Sequence, residues 1–259
     1  MKKSLSAIAA GLVFPVLFAV SQAQAFDFPG WDALLKKYAA PAVIDGVRLN
    51  GLDYRQLKSD PEFPKLVDGL KSVSPGDLKS VHDKLSFWIN VYNILAVKTV
   101  LDNYPVDSIK DVGSIFKSVW KRDAGVVAGK MRTLHEIEHE ILRKMGEPRI
   151  HVAIVCASVS CPDLPPDAFA AQRLDDQLDT QMKAFLENQG KGMRVDREKK
   201  KIYLSSIFDW FEDDFEPKGG VREFISRYVS PEHKKLLGDP KVKISYLDYN
   251  WKVNEIKRR

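Results

Sequence analysis

FWINVYNILAVKTVL, residues 87–101, decides how the rest of the chain is organised. Its apolar side chains fall on every side of a 3.6-residue repeat, with Lys98 as the main charged interruption. A helix that is apolar all round is buried in the centre of a fold. The pattern predicts that this helix opens at Ser74, takes Pro75 into its first turn and runs to about Asn103, before Pro105. Trp88, Asn90 and Asn93 lie within it, the two amides three residues apart. A buried amide without partners costs about 1–3 kcal/mol, so these two belong either to a structural network or to a site.

Shorter periodic segments surround this helix. Residues 31–40 and 63–73 read as amphipathic helices, and 173–188 and 221–229 as two more. Residues 149–156 alternate and are rich in β-branched side chains, which predicts a strand. Residues 193–195 and 201–204, joined by a charged turn, predict a hairpin, and 242–246 a last strand. Helices dominate and the strands lack regular crossovers. The expected class is therefore α+β: a helix-rich single domain whose long central helix packs on a small, mainly antiparallel sheet.

The leading 25 residues predict a compartment. Lys2 and Lys3 precede an apolar run and then Ala23-Gln24-Ala25, the layout of a cleavable signal peptide with cleavage before Phe26. Residues 26–259 are then the mature domain, periplasmic or secreted, with no membrane span expected in it. The formal charge of +5 falls to +3 once the two leader lysines are removed, since residues 1–25 carry no acid. Basic runs occur only at Lys199-Lys200-Lys201 and Lys257-Arg258-Arg259. They read as solvated ends, and a nucleic-acid partner is not expected.

HEIEH, residues 135–139, spells the H-E-x-x-H pattern of zinc hydrolases. On a helix advancing about 100° per residue from Leu134, Glu138 falls at about 40°, inside the apolar arc, and Glu136 at about 200°, facing away. A zinc hydrolase needs Glu136 turned towards the shielded site as general base. The wheel points it to solvent, so no metal and no cofactor is predicted. Glu138 is the anomaly: a carboxylate among apolar neighbours must find a cation, find hydrogen-bond donors or stay protonated. Either it is a buried ion pair or a site carboxylate beside His139.

CASVSCP, residues 156–162, follows the predicted strand. Two cysteines five apart can close a disulfide, or Cys156 can be a free nucleophile activated by an imidazole. Strand alternation puts His151 and Cys156 on opposite faces, which makes His139 the better base, with Glu138 or an asparagine amide to orient it.

Taken in order, FWINVYN (87–93), IEH (137–139), PRIH (148–151), CASVSCP, LSSIFDWF (204–211) with Asp214-Phe215, and Tyr249-Asn250-Trp251 resemble the successive blocks of the domain of unknown function 547 family. The resemblance covers about residues 45–254, and it implies that Glu138 and His139 belong to a family motif while His135 and Glu136 are incidental. Val155 departs from the Asn that related sequences carry before the cysteine. The family's bacterial members look like exported proteins, but the resemblance implies no activity.

The expected site gathers Trp88, Asn90, Asn93, Glu138, His139, His151, Cys156 and Cys161. One expectation is a non-catalytic envelope binding module holding a buried polar network, its partner an envelope protein, a peptide or a small molecule. The alternative is a thiol hydrolase or acyltransferase on a peptide-like amide, with Cys156 attacking, His139 as base and Glu138 or an Asn amide orienting it.

Overall fold

A computed structural model describes residues 28–114 and 117–257. The leader read in residues 1–25 lies outside them. Helix α1 (Pro29–Tyr38) leads into a hairpin of β1 (Ala39–Ile44) and β2 (Val47–Leu52), followed by α2 (Tyr54–Lys58) and α3 (Glu62–Gly69). The long helix α4 (Val81–Asp102) comes next, then a hairpin of β3 (Asp123–Val127) and β4 (Lys130–Thr133).

Past a π-helical segment, Glu136–Leu142, stand α5 (Leu174–Glu187), β5 (Met193–Asp196) and β6 (Lys201–Leu204). Four short helices, α6 (Ile207–Trp210), α7 (Glu212–Phe215), α8 (Gly220–Ile225) and α9 (Pro231–Gly238), precede β7 (Lys243–Tyr246). β5 and β6 are antiparallel, and β7 joins β6 in parallel. The class is α+β.

α4 is the axis. Leu85 to Val97 are buried without interruption, Asn90 and Asn93 included. It packs on β3 so closely that a Cβ at Gly125 would lie 2.7 Å from Leu95 Cδ2, which is why a residue without a side chain stands there. The helix begins later than its sequence suggests. Ser74 opens only an isolated 3-10 turn at Pro75–Asp77. The α-helix starts at a capping box, in which Asp83 N–H donates to Ser80 Oγ (3.0 Å) and Ser80 N–H to the Asp83 carboxylate (2.8 Å). Reciprocal capping satisfies two orphan donors at once, and Ser74 has no such partner three residues on.

A second correction concerns residues 149–156, which are not a strand. Pro148–Val152 forms a 3-10 helix, its first turn capped by the Glu147 carboxylate accepting from Arg149 N–H (2.9 Å). Ile150 to Val155 are buried on all sides. Alternation carries information only when one face is wet. With no strand, His151 and Cys156 are not sent to opposite faces.

Two apolar clusters result. The larger surrounds α4, and the smaller joins α5 to β5, β6, α6, α7 and α8; Tyr249 packs against both. Among the described residues no helix is long and apolar enough to cross a membrane.

Candidate functional site

The motif helix behaves as its wheel implies, although it is wound as a π-helix. Glu136 N–H donates to Thr133 Oγ1 (3.0 Å), so Thr133 caps the segment. Glu136 turns outward to an ion pair with Arg132 and to Lys130 Nζ at 3.2 Å. Glu138 turns inward and is 6% exposed. The expected ion pair is not what it finds: the Tyr92 hydroxyl donates to Glu138 Oε2 at 3.1 Å. Burial pushes the carboxyl up to about 7, against the opposing pull of that hydrogen bond and of Arg143. Among the described residues no group of three or more His, Cys, Asp or Glu side chains could hold a metal ion.

Glu138 lines a cavity of about 300 Å³. His139, His151, Cys156 and Cys161 share it, so the structure gathers five of the eight expected site residues. The other three stand elsewhere. Asn90 Nδ2 donates to Phe169 O (2.8 Å) and its Oδ1 accepts from Phe169 N–H (3.0 Å). Asn93 Nδ2 donates to Ala153 O (2.9 Å) and its Oδ1 accepts from Val155 N–H (2.8 Å). Both amides are clamps that dock loops onto α4. Trp88 packs edge-on against Phe87 and beneath the Arg132 guanidinium.

The wall of the cavity is aromatic: Trp120, Trp210, Phe211, Tyr249 and Trp251 join Tyr92. Trp210 and Trp251 stack at 5.6 Å. The C-terminal segment that supplies Tyr249 and Trp251 is tied to the cysteine loop by Val159 N–H donating to Lys252 O (2.8 Å) and Ser160 N–H to Asn250 O (3.2 Å).

Behind the wall lies a charged group. Asp214 receives a fork from Arg143, Nε to Oδ2 at 2.6 Å and Nη2 to Oδ1 at 2.8 Å. Its Oδ2 is also 2.7 Å from His151 Nε2. These partners outweigh desolvation and hold Asp214 well below the usual carboxylate range. Burial lowers His151, so its imidazole is neutral at physiological pH. An ionised carboxylate on Nε2 fixes the tautomer: Nε2 carries the proton and Nδ1 keeps a lone pair. That Nδ1 is buried and has no partner. The ring stacks on Phe211 at 4.1 Å.

His139 is differently placed. Arg143 Nη1 donates to its Nδ1 at 2.9 Å, so that lone pair is taken. Burial, then the nearby His135, Arg143 and His151, lower it to about 4. An imidazole so reluctant to accept a proton is a poor base at neutral pH.

Cys156 and Cys161 are joined as a disulfide. Cys161 Sγ accepts from Cys156 N–H (2.9 Å) and from the Tyr249 hydroxyl (3.2 Å). Ala157 between them adopts φ +59°, a left-handed conformation that costs a residue with a Cβ about 1–2 kcal/mol.

Residues 77–186 match the model of the family described as a protein of unknown function, DUF547. The chain carries a DUF547 domain. The matched span holds α4, the motif helix, His151 and both cysteines; it ends before Asp214 and the aromatic residues from Trp210 onwards. No curated protein and no solved structure matches the chain.

Sequence reasoning left Arg143, Asp214 and most of the aromatic wall out of the site. Asp214, Phe211, Tyr249 and Trp251 all stand in the blocks of the family resemblance. The missing signal was chemical, because a buried histidine in a site calls for a carboxylate to set its tautomer.

Proposed function

We propose that the DUF547 domain is a binding module whose ligand slides a flat, largely apolar group between the aromatic walls and offers an N–H or O–H to His151 Nδ1. One observation carries this reading: a buried imidazole lining a cavity, oriented by Asp214 and Arg143, leaves its one acceptor unpaired. An orphaned buried acceptor costs about 1–3 kcal/mol, which a ligand donor would recover. Peptide amides and small aromatic amides have the required chemistry. The reading includes export to the periplasm or beyond, on the strength of residues 1–25 alone, so the partner would be an envelope peptide, protein or small molecule.

A second reading has one observation in its favour. The oriented His151 lone pair shares the cavity with Cys156, which suits a thiol hydrolase or acyltransferase on a peptide-like amide. The base would be His151 rather than His139. A bonded sulfur cannot attack a carbonyl, so this chemistry belongs to the reduced chain only.

Benzamide and methyl benzoate test the binding reading, being similar in shape with only the first an N–H donor. Ligand-observed NMR is expected to show benzamide binding about tenfold more tightly, and His151→Phe to erase the difference. Equal affinities for the unmodified chain would refute a donor-selective site.

A further inference from the structure

The disulfide stands where a structural crosslink contributes least. Its cysteines are five residues apart, and the chain entropy removed by a crosslink shrinks with the loop it closes. The loop is also held without it. Val155 N–H is bound by Asn93, Val159 N–H by Lys252 O, Ser160 N–H by Asn250 O, and Ala157 O accepts from Asn254 N–H at 3.1 Å. Four anchors on three separate segments keep the loop in place whether or not the sulfurs are bonded.

The two sulfurs are also unequal. Cys156 is half-buried, whereas Cys161 is 2% exposed. Both line the cavity. Only Cys161 has two donors aimed at its sulfur, the Cys156 backbone N–H and the Tyr249 hydroxyl. Donors directed at a sulfur stabilise it as a thiolate, and so as a leaving group. Glu138 lies in the same cavity and is poised to take up or release a proton near neutrality.

The geometry points to a dithiol–disulfide exchange site: a dithiol substrate, a peptide or small molecule, enters the cavity and is oxidised by the Cys156–Cys161 pair. This deepens the binding reading and rests on the same cavity being open to a ligand. One substrate thiol gives up its proton and its thiolate attacks Cys156 Sγ. The Cys156–Cys161 bond breaks and its electron pair goes to Cys161 Sγ, where the Tyr249 hydroxyl and the Cys156 N–H receive the charge until a proton arrives.

The second substrate thiolate then attacks the substrate sulfur in the mixed disulfide and expels Cys156 as a thiolate, which is protonated in turn. The substrate leaves as a disulfide, oxidised by two electrons, and the protein holds two thiols carrying the two protons the substrate lost. Tyr249 is a catalytic residue in this scheme, since its hydroxyl touches the leaving sulfur.

The test uses the full oxidised chain with two probes, dithiothreitol as the dithiol and cysteamine as a monothiol that stops at the first step. Alkylation and mass spectrometry should find the pair reduced by dithiothreitol while circular dichroism stays native. Cysteamine should be found on Cys156 rather than Cys161. Tyr249→Phe should slow reduction about tenfold. Reduction only at denaturant concentrations that unfold the chain, or cysteamine on Cys161, would overturn the proposal. The cysteamine arm needs no variant, so it decides the matter even if Tyr249→Phe misfolds. Benzamide binding measured on the same sample separates the outcomes: binding without native-state exchange sinks the redox site alone, and exchange without binding sinks the donor-selective ligand site alone.

Discussion

Asn93 and His151 are both buried polar side chains, and they differ in what they leave unmade. Asn93 spends donor and acceptor on the Ala153–Val155 backbone, whereas His151 spends Nε2 on Asp214 and keeps Nδ1 empty. A fully paired buried amide fixes architecture. A buried lone pair facing a hollow is stability forgone, and such strain is tolerated where a ligand relieves it. The same contrast separates Asn90 from Glu138. Asn90 is closed off by Phe169, while Glu138 has a single tyrosine hydroxyl and a carboxyl pushed towards neutrality.

Asn93→Ala would break this contrast most severely. It orphans Ala153 O and Val155 N–H together, and the expected loss is about 4 kcal/mol in chemical unfolding. A loss below about 1 kcal/mol would mean that the loop docks by other means and that the amide is not the clamp described.

Glu138→Gln sharpens it through pH. The folded carboxyl titrates at about 7 and the unfolded one in the ordinary range near 4.5, so the native state holds the extra proton between those values. Stability is therefore unaffected by this group below about pH 4.5, falls as pH rises through the window, and stays reduced above 7. The burden is on the order of 3 kcal/mol. Glutamine keeps an acceptor for Tyr92 and removes the charge. Its melting temperature is expected to exceed that of the parent at pH 8 and to match it at pH 4. Parallel stability profiles for the two chains would show that Glu138 does not titrate as described.

His135→Ala should do least. Its ring lies 4.4 Å from His139, with Glu136 turned away from both. A change within about 0.5 kcal/mol is expected, with benzamide binding retained. Stoichiometric zinc in the purified chain, lost in this variant, would restore the metal reading of HEIEH.

How much of this was legible in the sequence depended on whether a segment has one wet face. The motif helix has one, so Glu138 inward and Glu136 outward could be read from angular position. α5 and the β5–β6 hairpin were legible for the same reason, their apolar positions recurring at helical or strand spacing. Residues 149–156 have no wet face, and their alternation misled. The β3–β4 hairpin went unread because its strands are short, with two glycines among nine positions and a bulge near Gly125. In the site, residues that lie close in sequence or on one helix were found. Arg143 and Asp214, 71 positions apart, were joined only by the fold.

The π-helical winding of Glu136–Leu142 has a consequence for evolution as well as for chemistry. Such a widened turn holds one residue more than an α-helical turn would. Losing a single codon there would rotate everything beyond the deletion by about 100° relative to α4. The acid at 138 and the imidazole at 139 could not then both look into the hollow, and Arg143 would swing away from Asp214. Point substitutions can retune this protein's chemistry one group at a time, but a one-residue slip in this coil would dismantle it at a stroke.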